Sequence, residues 1–315
     1  MGKLLIAGVG GNLGSVAAKV ILTLEDKSNL IFCATSEATL KPYADMGIET
    51  HVVDFNYSDN LEKAFANAEA VGIISMPFVG EKRQAAHRNA VDAAKKANVK
   101  KIVYTSLANA GDETNPSMEK LDHIYTENYI KDSGLDYIFL RNSQFAEAMV
   151  TNYFTYVNMK MPLANNMGNG HMAFVSRKDC AKALAYALHK HKEYSHATLD
   201  INGKELLTIG EFVNIGNKET GNNVTYVEIS DEENYKVFDS MGIPRTTDGK
   251  FQDGSEAPFC SDGMVSFGKA IRLEKFAVFT DDFKKLTGED PISVSYMFAN
   301  SKDFQVGDRH SKDKK

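Results

Sequence analysis

The feature that most constrains this chain is a glycine-rich turn between an apolar run and an amphipathic segment, all within the first 22 residues. Lys3–Ala7 is mostly apolar, Gly8–Gly14 (Gly-Val-Gly-Gly-Asn-Leu-Gly) follows directly, and residues 15–22 place apolar side chains at helical spacing. This order predicts a buried strand, a tight turn and a helix. Because a helix start offers unpaired N–H groups and a partial positive charge to an anion, the sequence predicts a pyrophosphate site here.

The glycines of this turn have different expected roles in holding a dinucleotide. Gly8 allows the turn out of the strand, Gly11 lets the backbone approach the phosphates, and Gly14 lets the helix pack closely on the sheet. Glycine triplets also occur in ordinary turns, but the strand before this one and the helix after it favour the nucleotide interpretation. The candidate phosphate-binding residues are Gly8, Gly10, Gly11, Asn12, Leu13 and Gly14.

Composition bounds the class of protein. The 315 residues suit one large α/β domain or two coupled ones, and 43% apolar with 25% charged residues is typical of a globular protein. The net charge of −6 argues against a nucleic-acid partner. The three cysteines show no pair spacing, which favours a reducing compartment. With no export leader and no apolar run long enough to span a membrane, the expectation is a cytoplasmic protein without a membrane partner.

Strand and helix patterns alternate through the first 142 residues. The predicted strands are Lys3–Ala7, Leu30–Ala34, Glu49–Val53, Ala70–Ser75, Lys101–Thr105 and Asp136–Leu140. Helical segments separate them at a spacing of about 25 residues, as crossover connections between parallel strands require. The sequence therefore predicts an α/β fold with a doubly wound parallel sheet.

The pattern changes after residue 142. Residues 143–300 predict a smaller, less regular α+β lobe over the carboxyl edge of the sheet, where substrates usually bind. Within it, a segment at about 172–201 is expected to return to the first domain, 1–142. Residues 301–315 are predicted to form a charged tail.

The residues after the second strand leave the kind of nucleotide open. Proteins that bind NAD usually carry Asp or Glu at the end of the second strand, and proteins that bind NADP often carry Arg nearby. This chain has Thr35 and Ser36 instead, whose hydroxyls are candidates for binding a phosphate or a ribose hydroxyl. The alternative interpretation is that they cap the next helix. The predicted cofactor is therefore NADP or NAD.

The sequence lacks a Tyr-x-x-x-Lys pair on the expected helix and does not predict a metal site. Short-chain dehydrogenases use a Tyr-x-x-x-Lys pair on the helix after the fourth or fifth strand. That helix here reads His123–Lys131 without such a pair, and the spacing at Tyr156/Lys160 and Tyr186/Lys190 falls in later helices. The histidines near residues 189–196 lack acidic or thiolate partners at ligand spacing, so no metal site is predicted.

Several motifs together resemble the NmrA-like group of atypical short-chain dehydrogenases/reductases, in particular its quinone and triphenylmethane reductase branch. The likeness covers residues 1 to about 300. The motifs are Ala7–Gly14, His87–Ala94, Val99–Leu107, His123–Glu127 and Leu140–Asn142.

The resemblance implies a Rossmann domain, a small C-terminal lobe and a cleft between them. It implies that Ser75, Met76 and Pro77 pass along the cofactor and that Arg177 contacts it. Thr105 and Asn142 would lie near the nicotinamide, and Phe145 would help to wall the acceptor. His123 is a candidate to donate a proton or to orient a neighbour. The predicted catalytic residues are thus Asn142, Phe145 and His123.

The sequence also departs from this group at two points. Thr35 stands where the group has an arginine that favours NADPH, and Ser143-Gln144-Phe145 leaves one aromatic residue where the group has two. The predicted function is an NAD(P)H-dependent oxidoreductase that passes hydride directly to a quinone-like small molecule. The alternative is a non-catalytic NAD(P)-binding redox sensor. The oligomeric state stays open, with a homodimer as one alternative.

Overall fold

A computed structural model of the chain describes residues 2–77, 79–246 and 259–306. The strands are β1 Lys3–Ala7, β2 Leu30–Ala34, β3 Glu49–Val52, β4 Ala68–Ile73, β5 Lys101–Leu107, β6 Asp136–Asn142, β7 Leu163–Asn165, β8 His171–Met172, β9 Ala197–Ile201, β10 Leu207–Thr208 and β11 Tyr226–Glu228. The helices are α1 Asn12–Ile21, α2 Glu37–Asp45, α3 Leu61–Phe65, α4 Glu81–Lys96, α5 Glu119–Ser133, α6 Ala146–Met159, α7 Arg177–His189, α8 Ile209–Thr220, α9 Asp231–Ser240, α10 Ser261–Arg272, α11 Asp282–Thr287 and α12 Val294–Ala299. Short 3-10 helices span Lys27–Asn29 and Ser301–Asp303.

Seven parallel strands form the main sheet in the order β3-β2-β1-β4-β5-β6-β9. The chain winds outwards from β1 to β3, then returns to the other side of β1 and winds outwards again from β4. The predicted doubly wound α/β fold is therefore confirmed. The reversal leaves a crevice at the carboxyl ends of β1 and β4, which is where such folds bind ligands.

Helices cover both faces of the sheet. Leu4 and Ile6 of β1 pack towards α1 and α7, and Leu5 and Ala7 pack towards α3, α4 and α5. The alternation follows from the two-residue period of a strand, and burial on both faces explains why the strands read as continuous apolar runs.

A smaller set of elements forms the second lobe around its own aromatic core. Tyr153 of α6, Phe212 of α8 and Phe298 of α12 are fully buried there, with ring centroids 4.9–5.1 Å apart in neighbouring pairs. Two short strand pairs, β7 with β11 and β8 with β10, complete the lobe. Residues 177–201 leave this lobe, because α7 packs on the sheet and β9 pairs with β6.

Several strands and the predicted tail begin or end at residues other than those predicted. β4 begins at Ala68 and ends at Ile73, so Ser75 lies in the loop after the strand. β5 and β6 each continue two residues further than predicted, because their last residues pair with each other up to Leu107 and Asn142. The packed chain also continues past residue 300, since Phe304 is buried in the lobe; residues 307–315 of the predicted tail lie outside the described residues.

Candidate active site

Two adjoining cavities form one cleft along the carboxyl edge of the sheet. The first cavity lies beyond β1 and β2, and the second lies beyond β4, β5 and β6 under the second lobe. The loop Ile74–Pro77 lines both cavities and therefore joins them. A dinucleotide has two nucleotide halves, and the two joined cavities match that layout.

Most of the predicted site residues come together in this cleft. The first cavity contains Gly8, Gly10, Gly11, Thr35, Ser75, Met76 and Pro77. The second contains Asn12, Leu13, Ser75, Met76, Pro77, Thr105, His123, Asn142, Phe145 and Arg177. Gly14 and Ser36 are not among the lining residues.

The glycine turn leaves the start of α1 open towards the cleft. Gly8 has a φ of +93°, a conformation that glycine adopts without strain. Gly11 is the N-cap, offers no side-chain cap, and no acidic residue stands in the first turn. A Cβ on Gly14 would lie 2.0 Å from the Gly8 carbonyl oxygen, so Gly14 is required for packing rather than for contact with a ligand. The open helix start fits a phosphate.

The residues after β2 divide between capping and the cavity. Ser36 is the N-cap of α2, and its hydroxyl oxygen accepts a hydrogen bond from the Thr39 amide at 3.3 Å. Thr35 and Thr39 line the first cavity. The contacts of Ser36 therefore agree with the capping interpretation. Of the two residues, Thr35 is the one that lines the cleft.

The loop after β4 is held in place by three side chains. The Ser75 amide donates to Oγ1 of Thr105 at 2.9 Å, and the Met76 amide donates to Nε2 of His87 at 3.1 Å. Nε of Arg83 donates to the Met76 carbonyl oxygen at 3.0 Å. Burial, with the positive charge of Arg83 beside it, lowers the pKa of His87 to about 3, so this imidazole is neutral and accepts the amide hydrogen bond.

Arg83 was missed in the sequence analysis, although it lines the second cavity. A signal was present: Arg83 stands at helical spacing from Ala86, Ala90 and Ala94, which are buried on the sheet-facing side of α4. An arginine on the apolar face of an amphipathic helix needs a partner or a function, because burying its charge is costly.

Asn142 and Ser143 present polar atoms that have no partner in the described structure. The Asn142 Oδ1 and the Ser143 hydroxyl are both buried and make no hydrogen bond. Both residues line the second cavity where β6 ends. A buried acceptor without a donor is unfavourable unless a ligand supplies one, so the Asn142 carbonyl suits the amide N–H group of a nicotinamide.

Two phenylalanine rings are among the described residues that line the second cavity. Phe145 lies with the Arg177 guanidinium 5.2 Å from its ring centroid, a cation–π contact. Phe267 of α10 also lines the cavity and stacks on Phe276 with centroids 4.4 Å apart. The second lobe therefore provides a second ring where the sequence analysis found one, and no local motif could have paired Phe145 with a residue 122 positions later.

His123 lines the second cavity and contacts Tyr104 behind it. The Tyr104 hydroxyl lies 3.0 Å from Nδ1 of His123. Burial and the nearby charge of Arg83 hold the pKa of His123 well below its usual 6.5, and burial raises the pKa of Tyr104 to about 12. At neutral pH both groups are uncharged, so His123 can donate a hydrogen bond but is not an imidazolium acid.

A buried ion pair occupies the next turn of α5. Glu127 is fully buried, and its two carboxylate oxygens accept from Nε and Nη2 of Arg141 at 2.9 and 2.7 Å. The Ser106 hydroxyl donates to the same carboxylate at 2.7 Å. This pair ties α5 to β5 and β6, and so fixes the helix that carries His123 relative to the strand end that carries Asn142.

The described ranges contain no group of three or more His, Cys, Asp or Glu side chains placed to hold a metal ion. None of their helices is long and apolar enough to cross a membrane. His189 and His196 instead contact separate carboxylates, Glu25 at 2.7 Å and Asp136 at 3.7 Å.

The order of the strands, the open glycine turn and the cleft at the switch point define a doubly wound protein of the Rossmann type. Within that class the chain belongs to the NmrA-like family, which matches residues 2–253. The expected family resemblance is therefore confirmed.

Individual relatives agree with this assignment. Quinone oxidoreductase 2 of Escherichia coli is 29% identical over 246 residues, which are 76% of this chain and 82% of that protein. The NmrA-like family domain-containing oxidoreductase flvB of Aspergillus flavus is 26% identical and covers 92% of each chain. A crystal structure of the Escherichia coli NADPH-dependent quinone oxidoreductase complexed with NADPH matches with a TM-score of 0.84, 24% identity, and 95% and 99% of the two chains covered. The NADP(H) complex of Citrobacter triphenylmethane reductase matches with a TM-score of 0.80 and 24% identity, over 95% and 99% of the two chains.

Proposed function

We propose that this protein is an NAD(P)H-dependent oxidoreductase that passes hydride directly to a quinone-like acceptor. The observation that carries the proposal is the cleft itself, in which an open helix start, a buried Asn142 carbonyl without a donor and two phenylalanine rings adjoin. The names of the relatives support the same class of reaction, since two of them are named oxidoreductases and one of these is named a quinone oxidoreductase.

The residues of the chain have distinct roles in this proposal. The glycine turn and the start of α1 bind the pyrophosphate, and Asn142 and Thr105 orient the nicotinamide. Phe145 and Phe267 wall a planar acceptor. A bound dihydronicotinamide supplies the hydride. Much of the rate enhancement then comes from orientation of the two rings.

The proposed role of His123 follows from its protonation state. A neutral imidazole can donate one hydrogen bond to the acceptor oxygen on which negative charge develops. A quinone suits such a site, because its reduced oxyanion is relatively stable and can take its proton from water. This explains how the reaction can proceed without a Tyr-x-x-x-Lys pair.

Two measurements on one sample test the proposal. Isothermal titration with NADPH and NADH should show saturable binding, and cofactor oxidation should depend on an added quinone. Asn142→Leu removes the carbonyl at nearly constant volume, so it should weaken cofactor binding and turnover. Asn222→Leu, a change in the α8–β11 loop of the second lobe, serves as the matched control.

The pattern of outcomes separates the alternatives. Binding without turnover across a quinone panel would contradict the reductase and would instead indicate an NAD(P)-binding regulator. Absence of binding to either cofactor would contradict both functions.

A further inference from the structure

The charged side chains among the described residues that line the second cavity are both arginines. Among its described lining residues, Arg83 and Arg177 are charged and none is a carboxylate, although the whole chain has a net charge of −6. A cleft with charges of one sign and apolar walls concentrates ligands of the opposite charge. Arg177 contacts Phe145, and Arg83 lies close enough to His123 that its charge lowers the pKa of that imidazole; both arginines line the second cavity.

Arg83 is buried and rigidly held. The residue is 7% exposed, and its Nε donates to the Met76 carbonyl oxygen at 3.0 Å. Nη1 of the same guanidinium has no hydrogen-bond partner within the described residues. A buried cationic N–H group without an acceptor is costly, and an anionic ligand would remove that cost.

The two nearest carboxylates do not supply this acceptor. Oδ2 of Asp122 and Oε2 of Glu119 lie 3.6 and 3.8 Å from Nη1, too far for a hydrogen bond. The Asp122 oxygens already accept from the Gly80 amide at 2.7 Å and from Nε2 of Gln84 at 2.8 Å. These carboxylates form ion pairs with the guanidinium, but within the described residues they leave its Nη1 without a hydrogen-bond acceptor.

We propose that Arg83 binds an anionic substituent of the acceptor, so that the preferred acceptors are conjugated quinone-like compounds that carry a carboxylate or a sulfonate. The proposal deepens the proposed function and rests on it, because it assigns a substrate class to the same cleft. It also implies that a cationic dye is a poor ligand for this cavity.

Direct binding to the protein loaded with oxidised cofactor tests the subsite without any turnover. The probes are 1,4-naphthoquinone, its 2-sulfonate and a cationic triphenylmethane dye. A charge-assisted hydrogen bond corresponds to about tenfold or more in affinity, so the sulfonate should bind about tenfold more tightly than the neutral quinone, and the dye most weakly. The preference should decrease as salt is raised.

Variants assign the preference to one residue. Arg83→Gln should abolish the preference for the sulfonate, and Arg83→Lys should keep part of it. Arg88→Gln is the matched control, because Arg88 lies on the same helix but bonds Tyr125 and Glu81 outside the cleft. For each protein we take the ratio of kcat/KM for the sulfonate to kcat/KM for the neutral quinone. Comparing this ratio between the natural protein and a variant cancels the intrinsic reactivity of the two acceptors.

Several outcomes would overturn the proposal. They are equal affinity for both quinones in the natural protein, a preference that survives in Arg83→Gln, or an equal loss for both quinones in Arg83→Gln, which would make Arg83 a structural residue. If Arg83→Gln does not fold, Arg83→Lys provides the test. An unchanged or absent preference for the sulfonate in Arg83→Lys would contradict a fixed guanidinium site. Preferential binding without turnover would contradict the reductase and leave the anion subsite standing.

Discussion

The amide of Met76 donates a hydrogen bond to Nε2 of His87, at 3.1 Å, and this contact fixes the tautomer of a buried histidine. Nδ1 of His87 lies 2.9 Å from Oγ1 of Thr126, whose hydroxyl donates to the Asp122 carbonyl oxygen at 2.8 Å. The Thr126 oxygen must therefore accept from Nδ1–H. Neutral His87 therefore holds the loop Ile74–Pro77 in place, with both of its ring nitrogens satisfied.

The low pKa of His87 should make the protein less stable in mild acid. Between pH 6.5 and about 3 the unfolded chain binds a proton at this histidine and the native protein does not, so the free energy of unfolding falls as the pH falls. One proton corresponds to a slope of about 1.4 kcal/mol per pH unit. His87→Gln, which keeps an acceptor for Met76, should lose this part of the slope in urea denaturation at pH 4.5 to 7.

The pKa of His123 is also lowered, so His123 adds to the same fall in the free energy of unfolding. The contribution of His87 is therefore the difference in pH slope between the natural protein and the variant. An identical pH slope in both would show that His87 does not contribute.

Two glycines of the first turn should respond differently to alanine. At Gly11 a Cβ would lie 3.5 Å from the Gly8 carbonyl oxygen, an ordinary contact, so Gly11→Ala should fold with a stability change under about 1 kcal/mol. The added methyl group obstructs the approach of the pyrophosphate, and we expect about tenfold weaker cofactor binding or worse.

Gly14→Ala should instead lower the stability of the protein. Its Cβ would lie 2.0 Å from the same carbonyl oxygen, so the backbone must shift at a cost of about 2 kcal/mol or more. Thermal unfolding and cofactor titration of both variants provide the test. Equal loss of stability in the two variants would contradict this division of roles.

The fold was largely predictable because its signals are local. Apolar runs of five residues, such as Leu30–Ala34, alternate with helical spacing, and parallel strands buried on both faces must read this way. The ends of β5 and β6 were not predictable from propensity, since Leu107 and Asn142 are in strand conformation because they pair with each other. Tertiary pairing decided those borders.

The glycine turn was predictable in the same way, and predicted residues such as Thr105, Asn142 and Phe145 also line the cleft, whereas Arg83 and Phe267 were missed. The role of Arg83, on α4, depends on its hydrogen bond to the Met76 carbonyl oxygen in the loop before that helix. Phe267 reaches the cleft from a helix more than 100 residues after Phe145. The position of Phe267 follows from the packing of one lobe on the other, which no sequence motif reports.

The cofactor preference should depend on Thr35. The described residues that line the first cavity carry no charge, so we expect NADH and NADPH to bind with affinities within about tenfold of each other. Thr35→Arg adds a guanidinium to the lining of the first cavity, where it can pair with the 2′-phosphate of NADPH, and should raise the affinity ratio of NADPH to NADH by about tenfold.

Thr35→Gln controls for side-chain length without charge. Isothermal titration with both cofactors measures the ratio, and an unchanged ratio in Thr35→Arg would place the 2′-phosphate elsewhere.

Tyr104 should set the tautomer of His123 and hence the rate. Its hydroxyl keeps the proton at neutral pH because burial raises its pKa to about 12, and it lies 3.0 Å from Nδ1 of His123. We expect Tyr104 to donate to Nδ1, which leaves the proton of His123 on Nε2, where it is available to the acceptor oxygen. Tyr104→Phe should then lower kcat about tenfold while KM and cofactor affinity change less than about twofold.

The pH profile separates this role from a structural one. Because neither the phenol nor the imidazole titrates near neutral pH, kcat should be flat between pH 6 and 8 in the natural protein and in Tyr104→Phe. Tyr137→Phe changes a hydroxyl on β6, on a ring that stacks on Phe139 with centroids 4.2 Å apart, and should leave kcat unchanged. A loss in Tyr104→Phe that appears in KM or in cofactor affinity would mean that Tyr104 supports the cleft and does not direct the His123 proton.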